Sequence, residues 1–337
     1  MSLLGLLSLS LLAAPPTPTA PPLVTLVTSA WSETSELRIA DRAVARFTHL
    51  AGAAVRGAMS PGTDQFLAIA DTSPRRDPSF AASLFLLTAA APARRLCDDV
   101  IHASRPLVAP DGRVFVVRGA AGPDQLPNPR LDFLRIDEID RDTGVARTIH
   151  QHTGQFLHLA GWHDETILAY RIAADSADLV AIDAAPPHAV HPLADIPPFA
   201  RDFSVDRDHL VFHDRDEDDP HTWHIERLDL RTAALTTVAH DVDSRAQPFA
   251  AVDEIFAHTP RGLTRTGHAP LAAPCAGAPD CLDVVRVAST RWLAGHHVRP
   301  NTLPRPFILD TTTGAATLAP APNAWVDLLG FLPGGAR

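Results

Sequence analysis

Short apolar runs alternate with tight turns along the whole chain, and one phrase of that kind recurs. It is a strand, a turn reading roughly Asp-x-x-x-Gly, and a second apolar strand. The clearest copies are Ile139-Asp140-Arg141-Asp142-Thr143-Gly144-Val145, running on to Ile149, and Leu309-Asp310-Thr311-Thr312-Thr313-Gly314-Ala315, running on to Leu318. A third runs from Leu228-Asp229 to Val238. Weaker copies begin at Ala181-Ile182-Asp183, Phe85-Leu86-Leu87-Thr88, Leu37-Arg38-Ile39-Ala40 and Leu263-Thr264. The equivalent positions Ala40, Thr88, Asp140, Asp183, Asp229, Thr264 and Asp310 lie 35 to 52 residues apart. A period in the forties with several short strands per unit predicts a β-propeller whose blades are four-stranded antiparallel sheets.

Hairpins fill the intervals between these phrases. In Leu107-Val108-Ala109-Pro110-Asp111-Gly112-Arg113-Val114-Phe115-Val116-Val117 an Asp-Gly pair separates two apolar runs, a strong local hairpin signal. Similar segments begin at Ala58, Leu159, Asp202 and Phe249. The last segment, Trp325 to Phe331, reads as an inner strand with no outer strands after it. Leu37 to Ile39 and Val44 to Leu50 read as outer strands, and Leu23 to Val27 supplies a further strand before them. Joining the two ends of the chain in one blade hides edges that would otherwise pair promiscuously. The expected fold is therefore all-β: a seven-bladed propeller whose closing blade is shared by the N- and C-terminal segments. Six or eight blades are the alternatives, and a β-sandwich or a two-domain β protein is the competing architecture.

Arg105-Pro106-Leu107-Val108-Ala109-Pro110-Asp111-Gly112-Arg113-Val114-Phe115-Val116 resembles the Pro-x-x-Ser-Pro-Asp-Gly-Lys-x-apolar blade motif of TolB-like propellers, with Ala109 at the usual serine. Ser60-Pro61-Gly62-Thr63-Asp64 is a degenerate second copy. The resemblance is at the level of blades, over residues 36 to 331. It implies a rigid scaffold for protein or ligand binding, often in the bacterial periplasm and in some relatives attached to a peptidase.

At 337 residues, one propeller accounts for the chain, and 46% apolar residues suffice for sheet-on-sheet cores. The expected division is a signal peptide and Pro-rich leader over 1–22 and a single propeller domain over 23–337. The leader carries an apolar run, Leu3 to Ala14, too short to span a bilayer. A net charge of −10 argues against nucleic acid, whose phosphates need clustered cations. A periplasmic or extracellular monomer with no membrane span after leader removal is expected. Cys275 and Cys281 bracket a turn-rich loop and are expected to form a disulfide. A two-cysteine zinc site is disfavoured because no paired histidines follow at ligand spacing. Cys97 is left as a free thiol.

Candidate chemistry falls in three places. The acidic loop His213 to His224 offers Asp216, Asp218 and Asp219 as weak Ca²⁺ ligands, against the simpler reading of a solvated loop. Two histidine groups, His150/His152/His158 and His296/His297, lack a carboxylate at diagnostic spacing. The third place is the axial tunnel, the default pocket of a propeller. Its candidate ligand-binding residues are Arg56, Arg105, His158, Arg201, Asp202, Arg245 and Gln247. Arg56, Arg105, Arg201 and Arg245 each stand near the entry of an inner strand, where they either capture an anion or bridge neighbouring blades through carboxylates. Neither Gly-x-Ser-x-Gly nor His-Glu-x-x-His occurs. The expected function is a non-catalytic exported scaffold binding a protein partner or small anionic ligand at one tunnel mouth, with no cofactor required. The alternative is a propeller hydrolase or lyase with a tunnel-bound cation.

Overall fold

The computed structural model describes residues 20–332 apart from 30, 61–62, 73–81, 102–103, 122–130, 174–175, 217, 241, 243, 245, 252, 260–261, 266–267, 269–270, 272–273, 276–279 and 320–322. Residues 1–19 of the predicted leader and Arg245 therefore lie outside the described residues. Every regular element described is a strand.

The chain opens with β1 (Leu23–Ser29), β2 (Thr34–Ile39) and β3 (Arg42–Thr48). It continues through β4 (Arg56–Met59), β5 (Gln65–Asp71), β6 (Ala82–Thr88) and β7 (Arg94–Val100), then β8 (Leu107–Val108), β9 (Val114–Ala121), β10 (Leu131–Ile139) and β11 (Ala146–His152). Next come β12 (Phe156–His163), β13 (Thr166–Ile172), β14 (Ala177–Asp183) and β15 (Val190–Asp195). These are followed by β16 (Arg201–Asp206), β17 (His209–Arg215), β18 (Trp223–Asp229) and β19 (Leu235–Ala239). The last third holds β20 (Phe249–Ala251), β21 (Glu254–Thr259), β22 (Gly262–Arg265), β23 (Leu282–Ala288), β24 (Trp292–Val298), β25 (Arg305–Asp310), β26 (Ala316–Leu318) and β27 (Ala324–Phe331).

Pairing is antiparallel between sequence neighbours. β12 to β15, β16 to β19 and β23 to β26 each form a four-stranded sheet, and β20 to β22 a three-stranded one. β4 to β11 form a single eight-stranded sheet, in which β7 meets β9 through one pairing, Val100 opposite Arg118. The remaining four-stranded sheet joins the two ends of the described chain in the order β27-β1-β2-β3. Its register runs from Leu23 opposite Phe331 to Ser29 opposite Ala324. The composite closing sheet expected from Trp325 to Phe331 is present, with β27 innermost.

The recurring turn has a physical basis. In Asp140 to Gly144, the Asp140 carboxylate accepts from the backbone N–H of Asp142 (2.9 Å) and Thr143 (2.7 Å), and the chain exits through Gly144 at φ 75°. Asp310 to Gly314 repeats this, with Gly314 at φ 71°. In the third copy Asp229 caps the same way, but Ala233 stands at the left-handed position, with φ 57°. An aspartate bonding its own backbone and a residue free to adopt positive φ are what make the turn visible in sequence. The copy placed at Thr264 is corrected: Thr264 lies inside β22, opposite Ala257, and not in a turn.

Second strands are buried along nearly their whole length, as in β5 and β17, while outer strands such as β11 are mostly exposed. Apolar cores lie between successive sheets. Phe115 and Leu134 pack with Leu157 and Ile167; Leu179 with Leu210 and Phe212; Val24 and Leu37 with Phe66 and Phe85. Innermost strands touch in the closed order β27, β4, β8, β12, β16, β20, β23 and back to β27. The sheets are thus arranged about a common axis, with the innermost strands lining it.

Candidate functional site

The innermost strands carry most of the polar residues singled out from the sequence, and the fold brings them to one space. Arg105, just before β8, reaches past β4 to Asp327 on β27. Its Nη2 donates to Asp327 Oδ1 at 2.6 Å and its Nη1 to Oδ2 at 2.9 Å. The same Nη1 donates to the Gly57 carbonyl at 3.2 Å, and the Gly57 N–H donates to Asp327 Oδ2 at 2.8 Å. One side of this fork stays open to the axial space, since the Arg105 side chain is 44% exposed and that of Asp327 only 11%. Burial pulls the Arg105 pKa down, and the charge and hydrogen bonds of Asp327 more than offset it, leaving it raised. For Arg105, bridging through a carboxylate is therefore what the structure contains.

Arg286 and Asp202 owe their placement to irregularities in the ladders. On β23, Val285 lies opposite Gly295 and Val287 opposite Ala294, so Arg286 is the extra, bulged residue. On β16 the register slips between Arg201 and Ser204, and Asp202 has φ 56°. On β27, Gly330 faces Val24 and Leu328 faces Thr25, which leaves Leu329 bulged. A bulge re-aims a side chain away from the sheet normal, and here it turns groups toward the axis. Arg286 Nη2 donates to the Gln247 side-chain oxygen. Arg201 donates to the Ser244 carbonyl and lies over the Trp223 ring, 4.1 Å from its centroid.

Two cavities meet at Asp202 and Arg286. The outer one, about 560 Å³, is lined by Arg201, Ser244, Gln247 and His296 among others. The inner one, about 340 Å³, is lined by polar and apolar groups alike, among them Arg105, Ser204, Met59, Phe249 and Leu328. The guanidinium groups of Arg56, Arg105, Arg201 and Arg286 stand here against the carboxylates of Asp202, Asp327 and Asp71. Arg56 and Arg286 are both held below the usual arginine range, first by burial and then by the positive charge of Arg105. Asp202 is raised by burial, partly countered by Arg286 and Arg201.

Histidines border the same space. His158 on β12 stacks on Phe156 and leans on Phe203. The His296 ring shares a 2.8 Å hydrogen bond with the Val326 carbonyl. Both are pushed down to about 4 by burial, reinforced by Arg56 at His158 and by Arg286 at His296. His150, on outer strand β11, is also pushed down to about 4, by burial and then by Arg171. These rings are neutral in the folded protein at pH values where the unfolded chain, near 6.5, is already protonated. Between about pH 6.5 and 4 the unfolded chain binds more protons, so stability falls as pH falls. Asp140 and Asp229, held low mainly by backbone N–H donors in their turns, add a loss of the same sign at lower pH. Thermal melts are expected to show Tm dropping through this window and a shallower drop for His158→Gln. A Tm flat from about pH 7 to 4.5 would contradict the assignment.

Of the residues proposed from sequence, Arg105, Arg201, Asp202 and Gln247 line the two cavities, while Arg56 begins the innermost strand β4 and His158 lies on the innermost strand β12. Arg286 and Asp327 were not singled out, and His296 was named only beside His297 as a candidate metal ligand. Asp216 and Asp219 serve their own loop: Asp216 accepts from the N–H groups of Asp218 and Asp219, and Asp219 from Thr222 and the His221 N–H. The Cys275–Cys281 disulfide is present, with Cα atoms 5.7 Å apart. His297 Nδ1 lies 3.3 Å from Cys275 Sγ and donates to Asp283 Oδ1 at 2.9 Å, so a histidine does stand beside the cysteines, which linear spacing did not reveal. The half-buried Cys97 has its thiol pushed up to about 11 by burial.

No family model and no curated protein matches the sequence. Solved structures do resemble it. TolB from Acinetobacter baumannii is 10% identical with a TM-score of 0.51, over 92% of this chain and 67% of that one. A prolyl endopeptidase is 13% identical with a TM-score of 0.57, over 92% of this chain and 50% of that one, so this chain spans half its length. The β-propeller domain of the Trilobed protease from Pyrococcus furiosus is 10% identical with a TM-score of 0.52, over 79% of this chain and 84% of that one. That domain has an open velcro topology, whereas β1 and β27 pair here. These likenesses show the fold alone, a β-propeller resembling that of TolB.

Proposed function

We propose that this chain is an exported, seven-bladed propeller scaffold that binds a small anion, a carboxylate or phosphate, on its axis. The blade count treats β4–β7 and β8–β11 as two blades linked by the single β7–β9 pairing. Export is supported by the disulfide, which persists in oxidising compartments. The observation that carries the binding reading is the convergence of Arg56, Arg105, Arg201 and Arg286 on a space where Asp202, Asp327 and Asp71 are the carboxylates acting on them. The partly buried guanidinium groups of Arg56 and Arg286, held low by the charge of Arg105, are relieved by an incoming anion, which a charge-assisted or bidentate bond then holds. The same excess of positive charge works against a tunnel-bound cation. It favours the scaffold over the alternative of a metal-assisted hydrolase or lyase.

Calorimetric titration of the full chain with inorganic phosphate and with acetate tests this. Heat of binding is expected for at least one of them, and Arg286→Met is expected to weaken it at least tenfold, which is about 1.4 kcal/mol. Equal affinity in Arg286→Met would remove Arg286 from the site.

A further inference from the structure

The Cys275–Cys281 disulfide is buried among polar groups that a disulfide does not need. Cys275, Cys281, Asp283 and His297 are each no more than 3% exposed. A disulfide is neutral and donates no hydrogen bond, so it calls for no imidazole or carboxylate beside it, and both are costly to bury. Yet Asp283 on β23 stands opposite His297 on β24, which puts both side chains on one face of the ladder, toward the cysteines. His297 Nδ1 lies 3.3 Å from Cys275 Sγ and 2.9 Å from Asp283 Oδ1. The two sulfurs and a ring nitrogen of His297 all lie within 4.8 Å of one another. Asp283 is held from its other side, since its Oδ2 accepts from the Cys275 N–H at 2.7 Å and its own N–H donates to His258 Nδ1 at 3.1 Å.

These separations approach the edges of a tetrahedral zinc centre. Bonds of about 2.3 Å to sulfur, about 2.0 Å to nitrogen and about 2.1 Å to oxygen put the nitrogen about 3.5 Å from a sulfur and about 3.3 Å from an oxygen on the same ion. An ion among these groups would therefore spread them by only a few tenths of an ångström. The opposite ring nitrogen, His297 Nε2, accepts from Arg299 Nε at 3.0 Å. Arg299 is exposed, so this contact opens when the ring carries its proton on Nε2 and frees Nδ1 to ligate.

We infer that reduction of the disulfide creates a zinc site with Cys275, Cys281, His297 Nδ1 and Asp283 Oδ1 as ligands. A dithiol reductant gives two electrons and two protons to the Cys275–Cys281 bond, leaving two thiols, and closes to its own disulfide. Zn²⁺ then binds both sulfurs as thiolates and releases their two protons to water, while the His297 proton passes from Nδ1 to Nε2. The chain is thus cross-linked at the same two positions in either state, by a covalent bond under oxidising conditions and by the metal under reducing ones. Cys97, on β7 in another sheet, takes no part. The inference is independent of the anion-binding reading.

Zinc uptake by the full chain tests it, with the chain either oxidised or reduced by a phosphine, which becomes the phosphine oxide. After excess metal is removed without air, atomic absorption is expected to find one more zinc ion per chain in the reduced form than in the oxidised form, which controls for histidines elsewhere. Co²⁺ in place of zinc should give the d–d and sulfur charge-transfer bands of a tetrahedral site with thiolate ligands. Cys281→Ser and His297→Gln are each expected to weaken zinc binding by the reduced chain at least tenfold, and Cys97→Ser to leave it unchanged. Equal zinc in the two forms, or a six-coordinate Co²⁺ spectrum without sulfur bands, would overturn the site. Both are read on the unaltered chain, so a variant that fails to fold leaves the test intact. Undiminished affinity in Cys281→Ser or His297→Gln would overturn it as well.

Discussion

A chain ending before Ala324 is expected to show no cooperative unfolding transition. β27 is the innermost strand of the closing sheet, and its loss unpairs β1 along its whole length. It also opens two cores at once: Leu329 packs with Val24, Leu37 and Phe66, while Leu328 and Phe331 pack with Ala294. Burying each of these three side chains is worth about 1.5–3 kcal/mol, so their sum of roughly 5–9 kcal/mol rivals the whole stability of a typical domain. β4 and β23, which flank β27, would face water along their inner edges. Circular dichroism melts of the truncated and full chains decide the matter. A sharp transition at an unchanged temperature would show that the circuit does not depend on this strand.

The second large effect is expected at Asp327. Its carboxylate takes two guanidinium bonds from Arg105 and one from the Gly57 N–H, tying together β27, β4 and the segment before β8. Asp327→Ala leaves a cation and a backbone donor without their partner. Removing one member of a buried pair costs about 3–5 kcal/mol. Because Arg105 keeps an open side, a loss of about 2–3 kcal/mol is expected, measured by urea unfolding. Adding Arg105→Ala to that variant should cost less than the sum of the two single changes, since the pair is removed together. A loss under about 0.5 kcal/mol in Asp327→Ala would show that the bridge contributes geometry without stability.

The sequence disclosed the fold through its turns. Asp140, Asp229 and Asp310 bond their own backbone, and that chemistry is local, so it leaves a readable spelling. At Thr264 no such cap exists, and the count there was misplaced within β22. The axial residues were partly legible for a similar reason. Arg56 and Arg201 begin innermost strands, and Arg105 and Gln247 stand just before them, so position along a hairpin predicts where they point. Arg286 escaped because it is the fifth residue of β23 and faces the axis only through a bulge, which depends on how Gly295 and Ala294 pair across the ladder. Gly295 permits that pairing, because a Cβ there would lie 2.2 Å from the Val284 carbonyl. Asp327 escaped because its role is defined by Arg105 and Gly57, far away along the chain. The His297–Cys275 neighbourhood was hidden for the same reason.

The bulged positions have an evolutionary corollary. A residue that sits outside the regular pairing of its strand can be exchanged without shifting the register of its neighbours. Positions 202 and 286 are therefore where a side chain can be exchanged to change what the axis holds, while Leu329, packed against Val24 and Phe66, and the ladders on either side stay under constraint from packing. Lineages built this way keep a common outline long after their residues have drifted apart, and their preferences for cargo change faster than their shape.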